Sequence, residues 1–566
     1  MKNYLLLLSA FFFVSLCSSQ PLELLWSQHI KNDHSTLVST LTIDSHQNIY
    51  VVGSFMDTVD MDPGLDSLVL ISQGMSDVFV QKLDPNGHLL WAKQIGGPAN
   101  DSGLSIAVDE EEHVYLIGSF DDSIDVDPGA GTHVFHTNGE RNTFVLQLDQ
   151  DGNLGWAKHL RGLDEPRWEN ENLGQIVHID QQGDLLLTIK LRGLGDLISD
   201  TDTLSLQSKG SWDLLLMKVQ TDGQLIWHKQ FGGADYASII GRQLRSDSAG
   251  NIYLTGAFSD SVDVDPGQAS TILISKGGRD IFTLKLDSTG QLLWATSQGS
   301  PEDDTGQALQ LDHAGDVFVG GQTDFHYDHP SEPPFSTDKD LFLQKRDSQG
   351  NLLWENHIGG DHFDNLAALA VDSSGNLIVF ANLRESVDVD PGPDSLILHT
   401  QGFSDMFILK LSPHGNLIWV RTLAGAGEDF SRQLILTHSQ EMIVTGSFHE
   451  TIDVDPGADS MILSSSGELD FFISKYKLEE ANGLFSPLGQ ASPFSVYPNP
   501  SSGTFEIHPS SIHPLQILVY DPQGKLVKRL TPDNQRHDIS DLARSMYVVL
   551  IQTKEGWLAS KLLLNQ

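Results

Sequence analysis

The amino-acid sequence predicts an all-β fold, and three observations support this prediction. The first is composition: Gly is abundant, with 51 of 566 residues, and the apolar runs are short, with almost no helical periodicity. The second is a recurring strand–turn–strand segment, seen first at 83–93, whose Asp-Pro-Asn-Gly turn joins two apolar runs. The third is that a Trp recurs in the second strand of this segment at intervals of 60 to 71 residues, with the second strand alone at Trp26 and with both strands at Trp91, Trp156, Trp227, Trp294, Trp354 and Trp419. A period of this kind, built from strands, predicts a closed array of like units.

Each unit of the array contains four predicted antiparallel strands. In one unit they are strand a at 104–109, strand b at 114–120, strand c at 144–149 and strand d around Trp156. Four antiparallel strands are typical of one blade of a β-propeller. Strand c occurs seven times, but its last copy at 471–475 has no Trp strand after it, and the first Trp strand at 24–30 has no strand c before it. The last strand c and the first Trp strand together complete one blade, which predicts a seven-bladed propeller over residues 20–478, closed by the N-terminal strand.

The recurrent Trp has two interpretations. As a packing anchor between blades it would bury a large aromatic surface, and as a platform for sugars it would have to be exposed at a rim. Its fixed place in a regular strand favours packing. Trp168 and Trp212 lie outside the repeat register, and their role stays open.

Charge and the N-terminus predict the destination of the chain. It carries 34 Lys and Arg against 76 Asp and Glu, a formal net charge of −42, which excludes nucleic acid as a partner and suits divalent cations. Residues 1–19 have the charged start and short apolar core of a secretory signal peptide cleaved after Ser19. Lipidation of Cys17, the single cysteine, is disfavoured because Leu16 fits a lipobox poorly. The mature chain would then contain no cysteine and no transmembrane segment.

A loop of pattern Asp-x-Asp-Pro-Gly recurs between strands b and c, and two interpretations compete for it. In the first, Asp accepts backbone hydrogen bonds and Pro-Gly makes a turn. In the second, the paired carboxylates bind calcium, with carbonyls and acids of the d–a loops such as Asp33, Asp101, Asp235 and Asp364 completing the shell. The candidate metal ligands are Asp60, Asp62, Asp125, Asp127, Asp263, Asp265, Asp388, Asp390, Asp453 and Asp455.

Blades three and five depart from the pattern, and a specific ligand must break the sevenfold symmetry. Blade three has an insert at 161–172 and lacks the Asp-Pro-Gly loop, and blade five replaces that loop with 324–330, which is rich in His and Asp. A transition metal at 324–330 is a weak hypothesis, because such loops are more often only solvated. Neither a Ser/His/Asp elbow nor a phosphate-cradling glycine loop is found, so no catalytic residue is assigned.

Three motifs carry a resemblance over residues 24–478. They are Asp-x-x-Gly-x-Leu-x-Trp, Gly-Asn-Ile-Tyr-Leu-Thr-Gly at 250–256 and Val-Asp-Val-Asp-Pro-Gly at 262–267. With them the chain resembles the SBBP-type β-propeller repeat of secreted bacterial proteins. The resemblance implies a fold and no particular activity.

A linker at 479–493 precedes a small antiparallel β-sandwich predicted at 494–566. Its motifs are Tyr-Pro-Asn-Pro at 497–500, Val-Tyr-Asp-Pro-Gln-Gly-Lys-Leu-Val at 519–527 and Lys-Leu-Leu-Leu at 561–564. These resemble the type A sorting domain of type IX secretion, with Ser545 at a position where the family usually has Gly. The resemblance implies Sec export, then recognition of 494–566 by the type IX machinery, and a secreted or surface-displayed protein.

The sequence therefore favours a non-catalytic, exported scaffold that binds a glycan or protein ligand through its acidic face. The alternative is an extracellular lyase or hydrolase acting on polysaccharide, with its site at blades three and five.

Overall fold

The computed structural model describes residues 22–564 apart from 32–35, 65, 138–140, 166–174, 199–202, 268, 324–338, 361, 363, 393–394, 458, 467–468, 479–494, 498–503, 509–515, 521–525, 532–535, 541, 543–544 and 554–555. The described residues form 43 strands and no helix, which confirms the all-β prediction. The predicted signal peptide at 1–19 and the linker at 479–493 lie outside them. No helix long and apolar enough to cross a membrane occurs in the part of the chain that is described. The chain divides into two compact units, one spanning Leu24–Lys477 and one containing Leu478–Gln566.

The larger unit contains seven antiparallel repeat units of four strands, numbered here in chain order. The strands of repeat units 1 to 3 are β2 (Thr36–Ile43), β3 (Ile49–Asp60), β4 (Val69–Leu83) and β5 (Leu89–Ile95); β6 (Asp101–Val108), β7 (Val114–Phe120), β10 (Arg141–Leu148) and β11 (Leu154–Glu165); β12 (Ile176–Ile179), β13 (Leu185–Leu191), β16 (Asp213–Val219) and β17 (Leu225–Gly233). Those of repeat units 4 and 5 are β18 (Ser238–Ser246), β19 (Ile252–Asp263), β20 (Ile272–Leu286) and β21 (Leu292–Gln298); β22 (Thr305–Leu311), β23 (Val317–Thr323), β24 (Asp340–Arg346) and β25 (Leu352–Gly360). Those of repeat units 6 and 7 are β26 (Asn365–Val371), β27 (Leu377–Leu383), β30 (Asp405–Leu411) and β31 (Leu417–Gly425); β32 (Asp429–Leu436), β33 (Glu441–Phe448), β36 (Asp470–Leu478) and β1 (Leu22–Ile30).

Repeat unit 7 takes its fourth strand from the other end of the chain. The N-terminal strand β1 pairs with β36, the pairing expected from the sequence. A hydrogen bond of 2.8 Å from Ser474 Oγ to Ser27 Oγ joins the two strands, although 447 positions separate these residues.

Short ribbons extend four of the connections between the second and third strands of a repeat unit. In repeat units 1 and 4 the long strands β3, β4, β19 and β20 form the ribbon themselves. The additional ribbon strands are β8 (Ser123–Asp125) with β9 (Val134–His136), β14 (Leu194–Ile198) with β15 (Thr203–Gln207), β28 (Ser386–Asp388) with β29 (Ile397–His399), and β34 (Thr451–Asp453) with β35 (Ile462–Ser464).

The first strand of each repeat unit contacts the first strand of the next. The contacts run from β2 to β6, β12, β18, β22, β26 and β32, and β32 contacts β2 again. The apolar cores lie between neighbouring repeat units. One core joins Phe79 of repeat unit 1 to Phe471 of repeat unit 7, whose rings stack 5.8 Å apart, and Trp26 packs against it. Burial of aromatic and branched side chains at these interfaces is the main favourable term for the array.

The tail forms two antiparallel sheets. Their strands are β37 (Ser495–Tyr497), β38 (Thr504–His508) and β41 (Arg536–Asp538), and β39 (Gln516–Tyr520), β40 (Leu526–Leu530), β42 (Ser545–Thr553) and β43 (Gly556–Leu564). Phe505 and Ile539 share one buried cluster with Val519 and Val549, so residues around both sheets contribute to the same core.

Candidate functional site

The repeat Trp residues dock on the hairpin turn of the following repeat unit. The indole Nε1 of Trp91 donates to the carbonyl oxygen of Gln150 at 3.0 Å, and Trp354 does the same to Pro413 at 2.9 Å. Trp26, from the N-terminal strand, donates to Pro85 of repeat unit 1 at 3.3 Å. These half-buried indoles are packing anchors, as the sequence favoured.

The turn glycine explains the Asp-x-x-Gly-x-Leu-x-Trp motif. Gly87 has φ 84°, in the left-handed region that favours glycine, and a Cβ there would lie 3.0 Å from the Trp26 ring.

Trp212, outside the repeat register, is buried beside Lys190 and Arg192. Trp168 lies outside the described residues.

The Asp-x-Asp-Pro-Gly loops use their carboxylates to hold their own backbone. Asp263 Oδ1 accepts from the N–H of Asp265 at 3.1 Å and of Thr271 at 3.0 Å, and Asp265 Oδ1 accepts from the N–H of Gly267 at 2.8 Å. The same three bonds recur in the other four loops, at Asp60 and Asp62, Asp125 and Asp127, Asp388 and Asp390, and Asp453 and Asp455. This geometry is an Asx-type turn, the first of the two interpretations.

Four of the five ribbons that carry such a loop also pair with the preceding repeat unit. Asp263 and Val262 pair with Gly232 and Gly233 at the end of β17, and the ribbons of repeat units 6 and 7 make the equivalent pairing. A Cβ at Gly233 would collide with the carbonyl oxygen of Ser261, and a Cβ at Gly97, Gly360 or Gly425 would collide with the equivalent carbonyl oxygen. A glycine at this position after the Trp strand therefore permits the close approach. The loop motif therefore fastens neighbouring repeat units together.

Hydrogen bonds favour the ionised form of three of these carboxylates, Asp60, Asp263 and Asp388. Partial burial opposes ionisation of Asp263, but bonds from Asp265 N–H, Ser270 and Thr271 N–H outweigh it and lower the pKa of Asp263 below its ordinary value. The pKa of Asp60 and of Asp388 is lowered for the same reasons, with Ser67 and Ser395 as the hydroxyl donors.

A second set of acids, not singled out as a set from the sequence, is buried between repeat units. One member stands within or at the start of a third strand and the other at or directly before the start of the next repeat unit's first strand, in the pairs Asp77 with Asp101, Asp280 with Asp304, and Asp405 with Asp429. The structure thus places Asp101, proposed as an extra calcium ligand of the loops, beside Asp77, and Asp364, proposed for the same role, is buried directly before β26. Asp235 is exposed, and Asp33 lies outside the described residues.

The two members of such a pair differ in their donors. Asp77 Oδ2 accepts from the N–H of Gln73 at 3.0 Å and from Gln94 Nε2 at 2.6 Å. Both oxygens of Asp101 are buried without a hydrogen-bond donor of normal geometry. Burial, and then the charge of Asp77, raise the pKa of Asp101 to about 8. Burial and Asp405 likewise raise the pKa of Asp429 to about 8, so both carboxyls are largely protonated at neutral pH.

The central cavity is the space of about 780 Å³ that the first strands of all seven repeat units line. Its wall is polar, with Gln, Asn, Ser and Thr side chains interleaved with apolar ones. Three arginines and one histidine belong to it, at Arg242, Arg245, Arg432 and His178. Sequence reasoning missed these residues. The available signal was that positions 242, 245 and 432 carry arginine where the first strands of repeat units 1, 2 and 6 carry small or apolar residues.

The other candidate sites have less support in the structure. The irregular segments 166–172 and 324–330 lie outside the described residues. Asp44, His46 and Glu112 have ligand atoms within 4.8 Å of one another, but Glu112 already pairs with Lys82 at 2.7 Å and with His46 at 2.9 Å. An internal cation therefore satisfies this cluster.

Comparison with known proteins gives distant relatives for the repeat region. An uncharacterized WD repeat-containing protein of Acanthamoeba polyphaga mimivirus is 22% identical over 532 residues, which is 81% of this chain and 34% of the relative. The regulatory protein FlaEY of Caulobacter vibrioides is 26% identical over 196 residues, 34% of this chain and 19% of the relative. The chain spans about a third or less of the length of these relatives. Among solved structures, Sqt1 from Chaetomium thermophilum is 10% identical with a TM-score of 0.35, over 79% of this chain and 100% of that one, and carries no argument.

The family described as "Secretion system C-terminal sorting domain" matches residues 495–565. The match covers both sheets of the tail. An all-β repeat region is therefore joined to a C-terminal sorting domain, which implies interaction with the type IX secretion machinery and export to the cell surface or beyond it.

Proposed function

We propose that residues 20–478 form a closed seven-bladed β-propeller that acts outside the cell as a non-catalytic scaffold binding a glycan or protein ligand. The observation that carries the proposal is the central cavity, to which the first strands of all seven repeat units contribute. The contact of β32 with β2 and the pairing of β1 with β36 support closure. A polar cavity of about 780 Å³ is within the usual range for a small-ligand site.

The direct test is a glycan array probed with the mature protein, with and without calcium. We expect a restricted set of glycans to bind, and Gln433→Leu in the cavity wall to reduce that binding. Gln349→Leu, in an exposed turn, is the matched control and leaves binding unchanged. Binding that is unaffected by Gln433→Leu would place the ligand elsewhere, and the absence of any glycan or protein ligand would reject the scaffold.

Surface delivery is tested separately. Removing 494–566 takes away the sorting domain, so the truncated chain is expected to accumulate, folded, in the periplasm. Normal surface display of the truncated chain would contradict this assignment.

Calcium at the Asp-x-Asp-Pro-Gly loops stays a prediction. A cation there would use the carboxylate oxygens that accept no backbone bond, together with carbonyls. A smaller cavity of about 450 Å³ lies beside Asp453 and Asp455 in repeat unit 7. The polysaccharide-acting enzyme also stays a prediction, since the segments that would carry its site are mostly outside the described residues.

A further inference from the structure

The wall of the central cavity carries a charge opposite to that of the chain. Acids outnumber bases across the sequence, 76 to 34. The described residues that line the cavity nevertheless include three arginines and neither Asp nor Glu. Because arginine stays protonated in proteins, this wall is cationic at neutral pH.

Backbone irregularities place two of these arginines. The pairing of β18 with β19 shifts between Gly241 and Gln243, and that of β32 with β33 shifts between Ser431 and Gln433. Arg242 and Arg432 are therefore the extra residues of two β-bulges, and a bulge re-aims the side chain that it carries. The corresponding bulge residues of the other repeat units are Ser39, Leu104, Gln307 and Ala367, which also line the cavity.

Arg432 has weak partners within the protein. Its Nε lies 3.5 Å from Ser447 Oγ, and its guanidinium carbon lies 5.5 Å from the Phe430 ring centre. Within the described part of the chain it makes no ion pair with a carboxylate. Burial lowers its pKa, and no acid among the described residues opposes this shift.

Among the described residues, Arg245 hydrogen-bonds to neutral groups only. Its Nη1 donates to Gln243 Oε1 at 2.7 Å and to the Leu244 carbonyl oxygen at 2.8 Å, and its Nε approaches Gln310 Oε1 at 3.4 Å. Burial, and then the charge of Arg245, lower the pKa of His178 to about 3, so this imidazole is neutral and can accept or donate one hydrogen bond.

We infer that the central cavity binds an oxyanion, a carboxylate, phosphate or sulfate group, through Arg432 and Arg245. The guanidinium group matches the planar or tetrahedral oxygens of such groups, and it gains most where no internal carboxylate competes. Amides of the wall such as Gln243 and Gln307 can take hydroxyl groups of the same ligand. The inference rests on the closed ring proposed above and adds the chemical class of the ligand.

Isothermal titration calorimetry on the full mature chain tests it, with inorganic phosphate, sulfate and glucuronate as probes and glucose as the neutral control. We expect one site for at least one of the three anions and none for glucose at the same concentration. Losing one charged hydrogen-bond donor corresponds to about tenfold in affinity, so Arg432→Gln and Arg245→Gln should weaken binding by about that factor or more. Comparing the three probes shows whether the cavity prefers a carboxylate, a phosphate or a sulfate group.

Arg421→Gln is the matched control, because Arg421 lies in β31 away from the cavity wall and should leave affinity unchanged. If a Gln variant fails to fold, Arg432→Lys keeps the charge and should retain binding, with an affinity that falls as salt rises. Undetectable binding of all three anions at millimolar concentration, or equal affinity in the Gln variants, overturns the inference. If glycans bind in the cavity but none of these anions binds, the inference is rejected and the scaffold proposal stays in place.

Discussion

The loop carboxylates and the buried carboxyls between repeat units are the same residue type in the same repeat, yet they are in opposite states. Asp263 in a loop accepts two backbone N–H bonds and has a lowered pKa, whereas Asp101 lacks donors of normal geometry and has a pKa raised to about 8. The difference shows that the hydrogen-bond donors around a carboxyl group, rather than the number of acids nearby, decide whether that group is ionised. The formal charge of −42 therefore overstates the charge of the folded protein at neutral pH.

The largest expected effect concerns the buried carboxyls. Their folded pKa lies above the unfolded value, so their stabilisation is complete below about pH 4 and is lost as pH rises through about 8. Each such group should reduce the free energy of unfolding by up to about 1.4 kcal/mol per pH unit in that window. The double variant Asp101→Asn, Asp429→Asn cannot titrate there, so its stability should fall less between pH 5 and pH 8.

Urea unfolding at several pH values measures this slope. Asp66→Asn, at an exposed loop position, is the control and should behave like the parent. Equal slopes for the parent and the double variant would show that the buried carboxyls do not hold protons.

A smaller effect is expected at the loops. Asp263→Ala leaves the N–H groups of Asp265 and Thr271 and the hydroxyl of Ser270 without their acceptor, and it should lower the free energy of unfolding by about 2–4 kcal/mol at pH 7. Asp263→Asn keeps one oxygen and should lose less. The pKa of Asp263 is lowered in the folded state, so its carboxylate stabilises the fold only while it is ionised. The difference in free energy of unfolding between the parent and Asp263→Ala should therefore disappear as pH falls through that pKa, below about 4. If Asp263→Ala is as stable as the parent at pH 7, the loop carboxylate does not stabilise the folded protein.

The smallest expected effect is that of chelation. The backbone already satisfies one oxygen of each loop Asp, so calcium bound there would add little stability, and we expect excess chelator to change the melting temperature of calcium-loaded protein only slightly. A ligand of the native state stabilises by mass action, so a fall of several degrees would instead establish calcium at a stabilising site.

The sequence predicted most of the fold, because the strands, turns and Trp positions repeat. Counting strands also predicted that 24–30 would pair with 471–475, since each was left without a neighbour. The bulges at Arg242 and Arg432 could not be predicted, because one extra residue in a strand barely changes the apolar pattern.

The candidate site was predicted less well than the fold. The loop acids were found, but both interpretations remained open because spacing does not show which N–H groups face a carboxylate. The buried acids had a signal that was not used: an Asp recurs at the same position of the third strand, directly before its apolar run, in repeat units 1 and 3 to 7. Only tertiary structure places that Asp beside Asp101 or Asp429, which start the first strand of the following repeat unit.

The central claim is that the two ends of the repeat region close one ring, and a cross-link between β1 and β36 tests it most directly. Ser27 and Ser474 have their hydroxyl oxygens 2.8 Å apart, so cysteines at both positions should form an intramolecular disulfide. In a chain with Cys17→Ser, we expect Ser27→Cys, Ser474→Cys to oxidise completely as a monomer, while either single variant keeps a free thiol. Mass spectrometry with thiol labelling measures this. Two free thiols in the folded double variant after oxidation would contradict closure.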